Sequence, residues 1–539
     1  MLIPNNEKTS MRYEKKNCFI DNVCGYFEVI EVVKSLENKN SENKIKIYCN
    51  DTGDKKTITI NASDTISALN LAAKLTTFGV RVPYTGCHEL HFLINQQIAD
   101  CHANNKFSYT HSTLGWYQYE NKQVFLLDKM YGADINTKYV NENFCFSQGS
   151  RDAFMEFLDT EVFPYPNLTL GFIIGHASVL TSLLKDSFDM GTTIVNISGQ
   201  SSTGKSTIQR IMVSPFGCPD SDKRQLIKVA NITDKAVVAT LNGKNGVPMV
   251  FDDITANSSL KLSDIVYALS MCAPRQGCNK DRTLDDVNET WSGLVVMSSE
   301  YPILQNITNS QGACARVITL NDVPWTPDAD SSDRIRATLI DTYGHTGSEF
   351  VKAVMKIPIL TLETKFKENQ TKILNCIKVQ DSLTQRISKN YAAIVLTAQI
   401  MKESGIYNMD SVDLTEMINT MLDCESESQS MRDISSSVLQ LIKGLYNKYN
   451  YQNEGTSMQF CQRYVEDKSI FCIEKSYFMT FLRQNGYENY SQIKNILMEK
   501  RYMYTNSDGR EYKIGKKRYV AIHTSVIENS SVATIEYMR

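Results

Sequence analysis

The sequence predicts an α/β fold: a parallel-sheet core with a phosphate-binding loop, an α/β accessory domain before it, and helices and a winged C-terminus after it. Three observations carry that expectation. Between residues 188 and 325 the short apolar runs "TTIVNI", "VPMVF", "GLVVM" and "RVITL" alternate with helical patterns such as "KSTIQRIMV", "DKAVVATLNG" and "KLSDIVYALSMC". Such alternation predicts a parallel sheet covered by helices. The first run leads straight into Gly199-Gln-Ser-Ser-Thr-Gly204-Lys205-Ser206, which fits G-x-x-x-x-G-K-[ST] at a strand-to-helix junction. From 330 to 450 the strand signal gives way to helices.

At 539 residues the chain exceeds the size at which one core stops growing, about 250–300 residues, so several units are expected. Residues 1–17 are polar and read as a tail. The accessory domain, 18–145, holds the alternating strands "KIKIYC" and "KTITI", a helix "ISALNLAAKLTTFGV" with a glycine stop, and a hairpin around Glu120-Asn121. Residues 146–330 form the nucleotide-binding core. Within it the most apolar window, Leu168 to Leu184, falls short of the roughly 20 apolar residues that span a bilayer and reads as a buried helix, with no membrane segment expected. Helices fill 331–455, including "RISKNYAAIVLTAQIMKESG", and the winged domain spans 460–525, with a second tail at 526–539.

Composition narrows the partners. With 57 Lys+Arg against 60 Asp+Glu, contact with nucleic acid has to come from local basic patches and not from the overall field. The fourteen cysteines are scattered, with no CxxC pair and no signal peptide, which suits reduced thiols in a cytoplasmic protein. Cys87, His88, His91, Cys101 and His102 lie close together, but neither C-x2-C nor HExxH spacing occurs, so a packed helix is the better reading than a metal site.

The loop Gly199, Gln200, Ser201, Ser202, Thr203, Gly204, Lys205, Ser206, Thr207 has the residue types a phosphate needs. Its glycines let backbone N–H groups turn inward, the following helix adds positive potential, Lys205 reaches the β/γ oxygens, and Ser206 ligates Mg²⁺. A second strand must deliver a carboxylate to that metal, and "VPMVFDD" ends in Asp252 and Asp253. Asp252 is the expected Mg²⁺ partner. Asp253 stands where a glutamate usually polarises the attacking water, one methylene shorter. The strand "WSGLVVMSSEY" ends in Ser298, Ser299 and Glu300, of which Ser299 is the first candidate for contact with the γ-phosphate or the water and Glu300 the second. Arg316 begins a strand and Arg386 the helix "QRISKNYAAI".

From Ile473 to His523 the chain reads as helix, turn at Asn485-Gly486, helix, then two strands around Asp508-Gly509, a winged-helix pattern. Residues 491–520 hold eight basic residues, among them Lys494, Lys513, Lys516, Lys517 and Arg518, against three acidic ones. This is a local basic patch suited to DNA phosphates, although winged helices also dock proteins.

Walker A loop, Walker B strand, polar strand end, strand-leading arginine and helical region together resemble the AAA+ ATPases. More narrowly, "GQSSTGKST", "MVFDDI", "VYALSMCAPRQGCNKDR", "VVMSSE", "GACARV" and "YGHTGSEFVKAV" resemble the mobile-element family called domain of unknown function 927. Its better understood members, the replicative helicases of staphylococcal cassette chromosomes, are similar to minichromosome-maintenance helicases. The resemblance implies an AAA+ core with a helical lid. It makes Arg316 a finger inserted into a neighbour's site, Arg386 the lid arginine, and Lys280 and Arg282 part of a DNA-touching hairpin. It also implies ATP and Mg²⁺ as cofactors and a homo-oligomeric ring, such as a hexamer, on single-stranded or forked DNA. The expected function is an ATP-hydrolysing, helicase-like DNA motor for replication of a phage, plasmid or chromosomal cassette. The rival is a nucleotide-switched DNA-binding or defence oligomer with little translocation.

Overall fold

A computed structural model describes residues 26–37, 42–51, 54–80, 82, 84–141, 143–223, 225–229, 233–254, 262–273, 290–306, 314–377, 382–432, 434–451, 459–465, 467–485, 487, 490–505 and 511–529. The chain divides into two compact units, Met1–Phe144 and Cys145–Arg539.

In the first unit, strands β1 (Tyr26–Ser35), β2 (Glu42–Asp51), β3 (Asp54–Asn61), β4 (Phe107–His111) and β8 (Thr137–Tyr139) form a sheet in the order β3-β2-β1-β4-β8. Helices α1 (Ala68–Thr77) and α2 (Cys87–Ala103) cover one face, closing a core of Phe27, Val32, Ile45, Ile47, Leu71, Leu90 and Ile94. Period-two alternation explains it, since Ile45 and Ile47 are buried between half-buried Lys44, Lys46 and Tyr48. Ser67 starts α1 by accepting the Asn70 N–H at 3.2 Å, and Gly79 follows its end at φ 81°. Strands β5 (Leu114–Tyr119), β6 (Lys122–Leu126) and β7 (Met130–Tyr131) make an antiparallel meander whose first turn is Glu120-Asn121. The Cys/His cluster runs along α2 with separate partners: His91 Nε2 lies 2.8 Å from the Thr65 carbonyl, and the Cys101 thiol 3.7 Å from that of Val29.

The second unit begins with α3 (Arg151–Phe157), α4 (Pro166–Leu183) and α5 (Lys185–Phe188). There follow β9 (Thr193–Ser198), α6 (Lys205–Val213), β10 (Ile227–Val229), α7 (Asp234–Leu241), β11 (Lys244–Asn245), β12 (Met249–Asp252), α8 (Leu262–Ser270), β13 (Leu294–Ser299) and β14 (Val317–Asn321). Five strands make a parallel sheet in the order β10-β12-β13-β9-β14. Its strands β9 and β13 are wholly buried, which is why they show no strict alternation of polar and apolar residues.

Helix α4 is buried along Leu168–Ser182, and no helix among the described residues is long and apolar enough to cross a membrane. Two glycines one turn apart let it lie directly on α6. A Cβ at Gly171 would stand 2.1 Å from Ile208 Cδ1, and one at Gly175 2.1 Å from the Met212 carbonyl oxygen. Between them and the helices beyond sits His176, wholly buried. Its Nδ1 faces the Phe172 carbonyl at 2.9 Å and its Nε2 the Tyr407 hydroxyl at 2.8 Å, so Nδ1 carries the proton and Nε2 accepts. Burial pushes its pKa down to about 4.

Helices α9 (Ala329–Asp341), α10 (Gly347–Met355), α11 (Ile359–Cys376), α12 (Ser382–Ser404), α13 (Leu414–Arg432) and α14 (Ile434–Tyr451) come next. The C-terminal module contains β15 (Phe460–Val465), β16 (Lys468–Glu474), α15 (Lys475–Gln484), α16 (Tyr490–Glu499), β17 (Met503–Tyr504), β18 (Tyr512–Ile514), β19 (Lys517–His523) and α17 (Thr524–Asn529). Its sheet runs β15-β16-β19-β17, with β18 also on β19. Its core draws in Val438, Ile442 and Tyr446 of α14 beside Phe471, Phe478, Leu482, Leu497 and Ile522, so α14 packs as part of this module.

Two sequence expectations change here. The second of the two strands expected around Asp508-Gly509 is itself a hairpin: Ile514 pairs with Lys517 across Gly515-Lys516, and Gly515 has φ 59°, a conformation open to glycine at little cost. The pair β15/β16 also precedes the first helix. Asp508 and Gly509 lie outside the described residues, as do Lys280 and Arg282.

Candidate nucleotide site

Strand β9 ends at Ser198, the loop turns through Gly199 at φ 140°, Ser202 at φ 68° and Gly204 at φ 85°, and α6 starts at Lys205. Neither glycine has room for a side chain. A Cβ at Gly199 would stand 2.8 Å from Asp322 Oδ1, and one at Gly204 2.8 Å from Thr326 Oγ1. The segment after β14 holds the loop from that side, with Asp322 N–H donating to Ser198 O at 3.0 Å and Trp325 N–H to Thr203 O at 3.2 Å. Gly204 is the N-cap of α6 and has no side chain to cap it, so the first turn presents N–H groups to an anion. Lys205 Nζ donates to the Gly199 and Gln200 carbonyls, both at 2.6 Å, which keeps the ammonium folded over the loop.

On the other side β12 brings Asp252 to Ser206, whose hydroxyl donates to Asp252 Oδ2 at 3.4 Å. Hydroxyl and carboxylate oxygens suit a hard cation such as Mg²⁺, and the glycine cradle suits a phosphate, so the residues present fit both. The Ser298 hydroxyl donates to Asp252 Oδ1 at 2.7 Å and accepts the Asp253 N–H at 2.7 Å. Asp253 itself is exposed, with φ 54°.

Ser299 also belongs to the lining of the cleft that these groups form, with its hydroxyl already engaged. It accepts from Asn196 Nδ2 at 2.7 Å and donates to the Tyr301 carbonyl at 2.7 Å, while Asn196 Oδ1 accepts the Ile303 N–H at 3.0 Å. Strand register accounts for the difference. Phe251 lies beside Met297, so the next pair along is Asp252 with Ser298, and alternate residues point to opposite faces. Period two applied to "VVMSSE" could have favoured Ser298, but the pairing register was needed to choose.

These groups line a cleft of about 640 Å³ with Ser201, Ser202, Thr207 and Glu300, closed on the β14 side by Thr326, Asp328, Ser332 and Asp333. That last group follows β14 and carries no motif, which is why sequence reasoning missed it.

Arg316 and Arg386 are not in this cleft. Arg316 precedes β14, its Nε 2.6 Å from where a Gly191 Cβ would be, at the N-terminal rim of the sheet. Arg386 is exposed near the start of α12. One turn later Asn390 accepts the Thr193 hydroxyl at 2.9 Å, at the beginning of β9. The length of β9, about 16 Å at 3.3 Å per residue, separates that rim from the loop.

In the C-terminal module Lys494 lies 3.5 Å from Glu511, and Lys517 2.9 Å from Glu474. Burial works against charge on Glu511, yet Lys475, the Tyr490 hydroxyl and Lys494 hold it below the ordinary carboxylate range. Lys513, Lys516 and Arg518 are exposed and in no ion pair among the described residues.

The fold is that of a solved structure of SCCmec type IV Cch, described as an active helicase. The TM-score is 0.72 at 18% identity, over 96% of this chain and 97% of that one. No curated protein matches the sequence. The family described as "Domain of unknown function (DUF927)" matches residues 4–288, more than half of the chain, and the chain belongs to that family.

Proposed function

We propose that the protein is an AAA+ ATPase that works as a helicase-like DNA motor in replication of a phage, plasmid or chromosomal cassette. The observation that carries the reading is the meeting of Lys205 and Ser206 with Asp252, Ser298 and Asp253 in one cleft at the carboxyl ends of adjacent parallel strands. ATP is the nucleotide. The loop N–H groups and Lys205 hold its phosphates, Ser206 and Asp252 hold Mg²⁺, and that ion neutralises charge on the phosphates when bound. Asp253 orients the attacking water, and Ser298 fixes both aspartates. The far-rim position of Arg316 and Arg386 supports action of both on a neighbour's nucleotide, within a homo-oligomeric ring such as a hexamer.

On this reading 18–145 is an accessory domain, 146–330 the ATPase core, 331–455 the helical lid and 460–525 the winged-helix domain, joined in its packing by α14. The ring acts in the cytoplasm on single-stranded or forked DNA. Lys280 and Arg282 touch DNA in the pore, and Lys513, Lys516 and Arg518 of the wing bind phosphates, with Lys494 and Lys517 contributing less because acidic partners hold them.

The deciding experiment measures ATP hydrolysis with and without single-stranded DNA, and displacement of a forked duplex. Stimulation together with displacement is expected, both lost in Lys205→Ala. Slow hydrolysis indifferent to DNA, with no displacement, would favour the switch-like oligomer.

A further inference from the structure

The C-terminal module sets two cysteines face to face. Cys461 on β15 and Cys472 on β16 are direct register partners, both are free thiols, and both belong to the apolar cluster of Ile470, Tyr519 and Ala521. The Glu474 N–H donates to the Gln459 carbonyl at 2.8 Å, so that pair exchanges ladder hydrogen bonds and, two residues on, so does Cys461/Cys472. Such pairs hold their Cα atoms about 5.5 Å apart, inside the roughly 4.4–6.8 Å that a disulfide bridges. The Cys461 thiol is near enough to Cys472 to raise its pKa.

The two thiols differ in a useful way. Burial, together with the neighbouring Cys461, pushes Cys472 up to about 12, so it remains protonated, whereas Cys461 is half-buried and within reach of solvent.

We propose that Cys461 and Cys472 form an oxidation site that closes to an intramolecular disulfide on exposure to peroxide. The Cys461 thiolate attacks one peroxide oxygen, breaking the O–O bond and leaving Cys461 as a sulfenic acid, with hydroxide taking up the proton Cys461 gave. The Cys472 sulfur then attacks the sulfenyl sulfur. The S–O bond breaks, and the departing hydroxide takes the Cys472 proton to leave as water. Two thiols and one hydrogen peroxide thus yield one disulfide and two waters, and a small dithiol reverses the change. β15 is an edge strand paired only with β16 among the described residues, so the bond staples that edge to the sheet.

The test uses the full chain, fully reduced, then treated with hydrogen peroxide, alkylated and digested for mass spectrometry. The exposed Cys376 serves as a lone-thiol reference. The expected result is a peptide joining Cys461 to Cys472, two hydrogens lighter, formed before Cys376 is lost and released by dithiothreitol. Amide exchange along β15 is expected to slow on the order of tenfold or more. In Cys472→Ser the Cys461 sulfenic acid persists and takes up dimedone. Either of two results overturns the proposal: both thiols still alkylated once Cys376 is oxidised, or Cys461 oxidised in the wild type with no joined peptide. Neither depends on nucleotide hydrolysis, so the site stands or falls apart from the proposed motor function.

Discussion

At Asp253 the backbone is left-handed, with φ 54°, and its N–H is fixed on the Ser298 hydroxyl. Aspartate and asparagine enter that region more readily than longer side chains, because a short polar group can bond locally. The aspartate in place of the usual glutamate therefore has a conformational reason, and it does not by itself argue for slow turnover. Asp253→Glu is expected to cost about 1 kcal/mol in urea unfolding and to leave phosphate release unchanged or lower. A clear gain in turnover would instead mean that the natural residue restrains the site. Asp253→Asn is expected to keep the backbone conformation and nucleotide binding but to lose hydrolysis, read by fluorescent-nucleotide titration beside a phosphate assay. Among the described residues Lys205 donates to two loop carbonyls, so Lys205→Ala should cut hydrolysis on the order of 10²-fold or more while the chain still unfolds cooperatively.

Among the elements, the hairpin β18/β19 sets Lys513 directly opposite Arg518. Like charges so placed destabilise a strand pair, and a phosphate lying across them would relieve it. Arg518→Thr is expected to stabilise the module by about 0.2–1 kcal/mol in urea unfolding. It should also weaken DNA binding and lower the slope of log affinity against log salt by about 0.9 for a lost phosphate contact. Helix α4 supplies a pH test. An unfolded histidine takes a proton as pH falls below about 6.5, whereas His176 resists until about 4. Stability is therefore full above about 6.5 and is lost downward through that window, by about 3 kcal/mol. Unfolding measured at pH 7.5 and 5 should show that loss shrinking in His176→Gln. Strands β9, β12, β13 and β14 were legible because buried parallel strands read as short, mostly apolar runs rich in β-branched residues between recognisable helices. The pair β15/β16 was not, since Gln462, Arg463 and Tyr464 are exposed in succession and leave no alternation to read. The second hairpin was hidden because one glycine inside a strand pattern also fits a bulge. The loop, Asp252 and Asp253 were legible as a motif, whereas the Ser298 contact depends on register between strands far apart in sequence.

For the molecule as a whole, the cleft lies at the carboxyl rim of the sheet and Arg316 and Arg386 at the other. If both act on a neighbour, Arg316→Ala should cost roughly 10³-fold or more in hydrolysis. Mixing it with Lys205→Ala should then restore part of the rate, because some junctions join an intact loop to an intact arginine. Failure to recover at any ratio, with subunit exchange verified by mass measurement, would rule out the trans role. The separation of the two rims also has a consequence for symmetry. A two-fold dimer needs one self-complementary patch, and a subunit with unlike ends cannot complete both of its sites that way. On that trans reading, head-to-tail contact is the arrangement that suffices, closing where the rotation divides a full turn and otherwise winding into an open spiral with one unmatched end at each terminus. An isolated chain would then hold half of a reaction centre at either end, and turnover per chain would climb with concentration and level off once nearly every end has found its complement.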